Sequence, residues 1–339
     1  MRARPATRST MIAFAAFFVA APAFAQETSL LNACWAPAAL TGAPGESGVR
    51  KGDHRFDAPP PEMELAPFTP IAEPENGVIR RVKLSGGRKL VALTFDLCEQ
   101  PGEVAGYDGA IVDYLRRENV KATFFAGGKW LRSHEERARQ MMADPLFEIG
   151  SHSEAHRNFR GLEGNRLANE ILGPQRSYEM IRARLTQTQC VREAAGAESR
   201  IAPRITLFRF PYGACNPLTL RAVHDQGLRA IQWDVATGDP SPAASAEAIA
   251  RAMLMRTRPG SIILNHANGR GWHTAAALPL AIPKLRRMGY EFVTVSELLE
   301  AGEPVVAQSC YDKKPGDTDR YDVLAARKRI PDFKTTVHQ

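Results

Sequence analysis

Short β-prone runs alternating with helical patterns predict an α/β fold: one domain of parallel strands closed, or nearly closed, into a barrel and covered by helices. Three observations carry this expectation. Seven such runs follow one another from Lys89 onward, helix signals fall between them, and about 210 residues suit one α/β barrel domain. An open doubly wound sheet is the competing topology. It would normally open with a Gly-rich turn, and "TFDLCEQPG" after the first run is not one.

The predicted strands are "KLVALTFD" (89–96), "VKATFFA" (120–126), "LFEIGS" (146–151), "TLFRFP" (206–211), "LRAIQWDV" (228–235), "SIILNH" (261–266) and "YEFVTV" (290–295). Between the first two, Ile111 and Leu115 recur at helical spacing beside Tyr114. Asn216 followed by Pro217 reads as an N-cap with proline at the first helical position, and Ser296 is expected to cap a final short helix.

The flanks read differently. Residues 1–25 place Arg2, Arg4 and Arg8 before an apolar stretch from Met11 to Ala21 and end on Ala23-Phe24-Ala25, the pattern of a secretory leader cleaved before Gln26. Residues 26–88 form an extended arm, with six prolines between 59 and 74. The barrel spans 89–302, and 303–339 is a charged, turn-rich tail expected to lie on the surface or be partly disordered. No later segment is apolar enough to span a bilayer, so the chain is expected to be exported, periplasmic or secreted.

Loss of the leader lowers the formal charge from +7 to about +4. That mild excess is compatible with an anionic polymer but reads first as ordinary solubility. Without a basic run interleaved with aromatics, nucleic acid is not an expected partner. The five cysteines, Cys34, Cys98, Cys190, Cys215 and Cys310, leave at least one unpaired within the chain, and none forms a C-x-x-C pair.

Parallel α/β folds gather functional groups beyond the carboxyl ends of their strands. Here those ends deliver Asp96, then His152 and His156, then Arg209 with Pro211 and Tyr212, then Asp234 with Asp239 beyond, then His266. His152 and His156 are four apart and can present two imidazoles to one divalent ion, or serve as hydrogen-bonded surface histidines. Asp96 reads either as a carboxylate ion-paired with Arg209 for structure or as a general base oriented by it. His266 becomes a general acid if Asp234 or Asp239 fixes its tautomer and raises its pKa.

Taken in order, "TFD", "HSEAH", "RFPYG", "WDVATGD" and "LNH" resemble the motifs of the polysaccharide deacetylase family, the NodB-homology or carbohydrate esterase family 4 domain, over about residues 89 to 302. The resemblance implies a deformed (β/α)7 barrel that removes acetyl groups from N-acetylated glycans, with a few members acting on O-acetyl esters or small cyclic amides. It assigns Asp96 as base, His152 and His156 as ligands of a divalent ion, usually zinc, Arg209 as the group orienting the base, the Tyr212 N–H as oxyanion donor and His266 as acid.

Two departures stand out. The family's first motif carries a second, metal-binding aspartate where Leu97 stands, so Glu99, Asp108 or a Cys98 thiolate must replace it, or two histidines and water hold the ion weakly, or metal and catalysis are both lost. Ala236 occupies a position where the family commonly has an aspartate. Cys98 and Cys215 follow the first and third motifs and are expected to form a disulfide, which would exclude Cys98 as a ligand. Trp130 and Trp272, after the second and sixth strands, are candidates to stack on sugar rings. The expected function is a secreted hydrolase that deacetylates peptidoglycan or an exported polysaccharide. A catalytically silent carbohydrate-binding domain and a hydrolase of small cyclic amides are the alternatives.

Overall fold

The computed structural model describes residues 29–72, 76–194, 196–312 and 314–322; the leader expected over 1–25 lies outside them. All seven predicted strands are present in one sheet of ten strands. In chain order these are β1 (Val78–Leu84), β2 (Leu90–Leu97), β3 (Ala122–Ala126), β4 (Phe147–Ser151), β5 (Leu207–Phe208), β6 (Arg229–Ile231), β7 (Val235–Ala236), β8 (Ile262–His266), β9 (Glu291–Val293) and β10 (Gly302–Ala307). The order across the sheet is β10-β1-β6-β5-β4-β3-β2-β8-β7, with β9 beside the start of β2. Every pairing is parallel except β10 on β1.

The sheet curls into a deformed barrel. β1 pairs with β6 on one side, and on the other the Val82 N–H donates to the Gly260 carbonyl at 2.9 Å, just before β8. The run expected as a fifth strand divides into β6 and β7, and the fourth shortens to two residues. Alternation along β2 sets the two sides of its wall: Leu93, Phe95 and Leu97 join the large cluster under the helices, while Leu90 and Ala92 join the smaller cluster inside the curl.

The helix signals behave as their chemistry requires. Gly109–Arg117 buries Ile111, Tyr114 and Leu115, and Asn216 caps Pro217–Asp225 in a reciprocal capping box with Thr219. The last helix, Val295–Glu300, is capped by Thr294 in a capping box with Glu297, not by Ser296. The Ser296 hydroxyl instead donates to the part-buried Glu148 carboxylate.

The arm and tail expected outside the barrel both contribute to its sheet, since β1 lies in one and most of β10 in the other. Upstream of β1 the arm follows the surface. Arg50 and Lys51 pair antiparallel with Glu103 and Val104, and the Ile71 N–H donates to the His224 carbonyl at 2.9 Å.

The disulfides also differ from expectation. Cys34 is joined to Cys190 and Cys215 to Cys310, leaving Cys98 free and buried. Cys215 is therefore tied to the tail rather than to the first motif.

Candidate active site

The pairing register brings the proposed base and acid together. His266 on β8 stands directly opposite Asp96 on β2, and parallel strands place such partners on the same face. Arg209, just beyond β5, is completely buried. Its Nη1 donates to Asp96 Oδ1 and to the Thr94 hydroxyl, both at 2.8 Å, and its guanidinium lies 3.9 Å from the Phe125 ring centroid. A buried guanidinium needs a counter-charge, and Asp96 supplies it. Burial pushes the Asp96 carboxyl up, but His152, Arg209 and His266 outweigh that and hold its pKa below the ordinary value. The carboxylate is thus ionised and ready to accept a proton.

Of the two carboxylates proposed to restrain His266, Asp239 does so. Its Oδ1 lies 3.0 Å from His266 Nδ1, while Oδ2 accepts from the His266 backbone N–H at 2.7 Å and from the Thr274 hydroxyl at 2.7 Å. Nδ1 is thereby the donor and Nε2 is left to the site. Burial pulls the imidazole pKa down, but Asp239, with help from Asp96, raises it above its ordinary value. Asp234 serves elsewhere: it accepts from the Ser261 hydroxyl, the Ile262 N–H and Arg258, fixing the entry to β8.

His152 and His156 lie on the loop after β4. The rings are 5.0 Å apart, and His152 Nδ1 is bonded to the Arg209 carbonyl at 2.9 Å, which leaves Nε2 facing Asp96 at 3.4 Å. Ser153 and His156 have φ of 65° and 52°, left-handed values that non-glycine residues adopt only when held. The holding groups are two buried glutamates. Glu170 accepts from the Ala155 N–H at 2.9 Å, and Glu154 is ion-paired with Arg132 at 2.6 Å.

The third donor at this cluster is Cys98. One ligand atom each from Cys98, His152 and His156 lies within 4.8 Å of the others. Strand alternation explains why: Asp96 and Cys98 share a face, whereas Leu97 points into the outer core. Glu99 and Asp108 are engaged differently. Glu99 is fully buried and accepts from the Ala105 N–H and the Ser133 hydroxyl, and Asp108 caps the helix that begins at Gly109. Two imidazoles and a thiol suit zinc or cobalt better than magnesium or calcium. Burial pushes the free Cys98 thiol up to about 12, and a coordinating cation reverses that preference outright.

Tyr212 takes φ 61° in the turn after β5, a strain of about 1–3 kcal/mol for a residue with a side chain. Its ring abuts His156 at 4.5 Å. Trp130 is completely buried, donates to the Gly106 carbonyl at 3.0 Å and stacks on His134, so it is closed to sugar. Trp272 is 58% exposed on the loop after β8 and stays open to such a role.

Sequence reasoning missed Asn268, whose amide donates to the Cys98 carbonyl at 2.6 Å and contacts its sulfur at 3.0 Å. It also missed the pair of Arg270 with Glu103 at 2.7 Å. Both follow strand ends, but neither residue type marks itself out in sequence.

An ionised carboxylate and an imidazole facing each other across adjacent strands can accept and donate a proton at one place. The sequence model described as polysaccharide deacetylase matches residues 83–231. A peptidoglycan-N-acetylglucosamine deacetylase of Bacillus cereus is 28% identical over 220 residues, covering 64% of this chain and 91% of its own length. An enzyme of the same description from Listeria monocytogenes is 29% identical over 241 residues, 71% of this chain but only 45% of its own length. The solved structure of a peptidoglycan N-acetylglucosamine deacetylase bound to 4-naphthalen-1-yl-N-oxidanyl-benzamide superposes with a TM-score of 0.52 at 26% identity, covering 67% of this chain and 94% of that one. A pseudoenzyme of the same family from Bacillus anthracis shares the fold, with a TM-score of 0.52 at 22% identity over 67% of this chain and 70% of its own. The chain is thus similar to the polysaccharide deacetylase family over residues 83–231, and the relatives it matches include named deacetylases.

Proposed function

We propose that the protein is an exported deacetylase that removes acetyl groups from an N-acetylated glycan, peptidoglycan or an exported polysaccharide, with a divalent cation held by Cys98, His152 and His156. The observation that carries this reading is the register pairing of Asp96 with His266, each backed by its own oppositely charged or hydrogen-bonding partner.

When bound, the cation supplies Lewis acidity to the acetyl carbonyl and to water. Asp96, kept ionised by Arg209, takes the proton of the attacking water. The Tyr212 N–H donates to the oxyanion of the tetrahedral adduct. His266, its Nδ1 held by Asp239, gives the Nε2 proton to the departing sugar nitrogen as the carbon–nitrogen bond breaks. Trp272 offers an exposed face on which a neighbouring sugar ring can stack.

Incubation with N-acetylglucosamine oligomers is expected to release acetate in a metal-dependent manner, with Asp96→Asn inactive. No release from any acetylated glycan, with Asp96→Asn indistinguishable from the parent, would leave the silent binding domain as the better account. A parallel screen of small cyclic amides and O-acetyl esters separates the remaining activities.

A further inference from the structure

The tail beyond β10 returns to the site. Cys310 is bonded to Cys215, three residues after Tyr212. Arg80 on β1 donates to the Cys310 and Tyr311 carbonyls at 2.8 and 2.6 Å. Arg160, four residues past His156, pairs with Asp319 and Asp322 at 2.9 Å and donates to the Thr318 hydroxyl. Asn158 donates to Asp322 at 2.7 Å. These anchors set Tyr321 against Tyr212, ring centroids 5.1 Å apart and 27° from parallel, and Tyr212 in turn abuts His156.

We propose that Tyr321 is a positioning residue for the deacetylation, holding the Tyr212 turn through this stack, and that residues 310–312 and 314–322 form a strap fixed by the Cys215–Cys310 bond for that purpose. A tyrosine at positive φ keeps that conformation only while its surroundings over-determine it. Two rings flank Tyr212, those of His156 and Tyr321, and the Gln100 amide donates to its hydroxyl at 3.4 Å. Removing the Tyr321 ring frees the turn to relax and tilts the N–H away from the oxyanion. The strap lies beyond residues 83–231, the part that the family's sequence model matches.

The inference rests on the deacetylase reading above, and the experiment separates the two. Tyr321→Ala is expected to lower kcat on an N-acetylglucosamine oligomer about tenfold, as a small misplacement of a reacting group does, with KM changed less than about twofold. Tyr321→Phe, which keeps the stack, is expected to restore the parent rate. The double variant Cys215→Ala/Cys310→Ala should lose kcat in the same way. Hydrogen exchange of the peptide spanning 211–215 should rise severalfold in Tyr321→Ala and not in Tyr321→Phe. Parent-like kcat and exchange in Tyr321→Ala would overturn the proposal. A rise in KM alone would also overturn it, making Tyr321 a substrate contact, and failure of Tyr321→Phe to rescue would remove the stack as the cause. If the parent protein releases no acetate, the activity reading fails by itself and the exchange measurement still decides the positioning role.

Discussion

Replacing Cys98 with serine tests the centre of the site with almost no change in volume. In a tetrahedral zinc shell, with Zn–S of about 2.3 Å and Zn–N of about 2.0–2.1 Å, neighbouring donors lie about 3.5 Å apart. The three donors here lie within 4.8 Å of one another. Each therefore needs to move inward by at most about 0.8 Å to reach that geometry, a shift that side-chain torsions accommodate without moving the strand. Serine at 98 offers a neutral hydroxyl in place of a thiolate, so zinc should bind at least about 100-fold more weakly, at or beyond the upper end of the 10–100-fold cost of losing an outer-sphere partner. Chelator competition measures the affinity. Cobalt substitution measures the ligand: the parent should show a sulfur-to-cobalt charge-transfer band that Cys98→Ser lacks, and Cys98→Asp should keep the metal without the band. Parent-like affinity in Cys98→Ser, or no band in the parent, would refute the thiolate ligand.

Asp239→Asn removes the groups' main upward pull on the His266 pKa. Since the acid must be protonated, the alkaline limb of kcat/KM should move to lower pH, whereas Asp234→Asn should leave it in place. Burial lifts the Glu170 carboxyl from 4.5 to about 7. The folded state then keeps a proton that the unfolded chain releases, so the related stability is full below about pH 4.5 and lost as pH rises through about 7. Glu170→Gln, neutral throughout, should remove up to about 3 kcal/mol of that pH dependence, read from urea midpoints at about pH 5 and pH 8. Trp272→Ala should raise KM about fivefold for oligomers while sparing a single-sugar substrate, if the exposed indole stacks on a neighbouring ring. Equal effects on both substrates would exclude that role.

The barrel strands were legible because buried parallel strands read as apolar, β-branched runs with turn residues between them. Asp96, His152, Arg209 and His266 were legible because strand ends are where such a fold places chemistry, and register then sets Asp96 opposite His266. β1 and β10 were not legible as a pair. Their residues are unremarkable singly, and what makes them strands is a partner more than 200 positions away. The same distance in sequence hid the disulfides: Cys34 and Cys190 are 156 residues apart, Cys215 and Cys310 are 95 apart, and connectivity follows from folding rather than spacing.

Leu97 is the instructive case. Measured against a motif, it is a missing carboxylate, and the natural search for a substitute runs over nearby acids such as Glu99 and Asp108. Measured against the strand, it was never the residue to replace. β2 alternates with a period of two, so once Asp96 faces the site the next residue facing it is Cys98, and position 97 belongs to the outer core, where leucine is the apt choice. The carboxylate's negative charge can then return as a thiolate one position later, with Asn268 donating to its sulfur. Such an exchange trades an oxygen donor for a softer one and shifts preference toward zinc and cobalt over magnesium and calcium. With Cys98 as the third ligand, as proposed, the departure from the family's motif is a change of ligand rather than the loss of a centre, with both histidines, Asp96 and His266 standing around it.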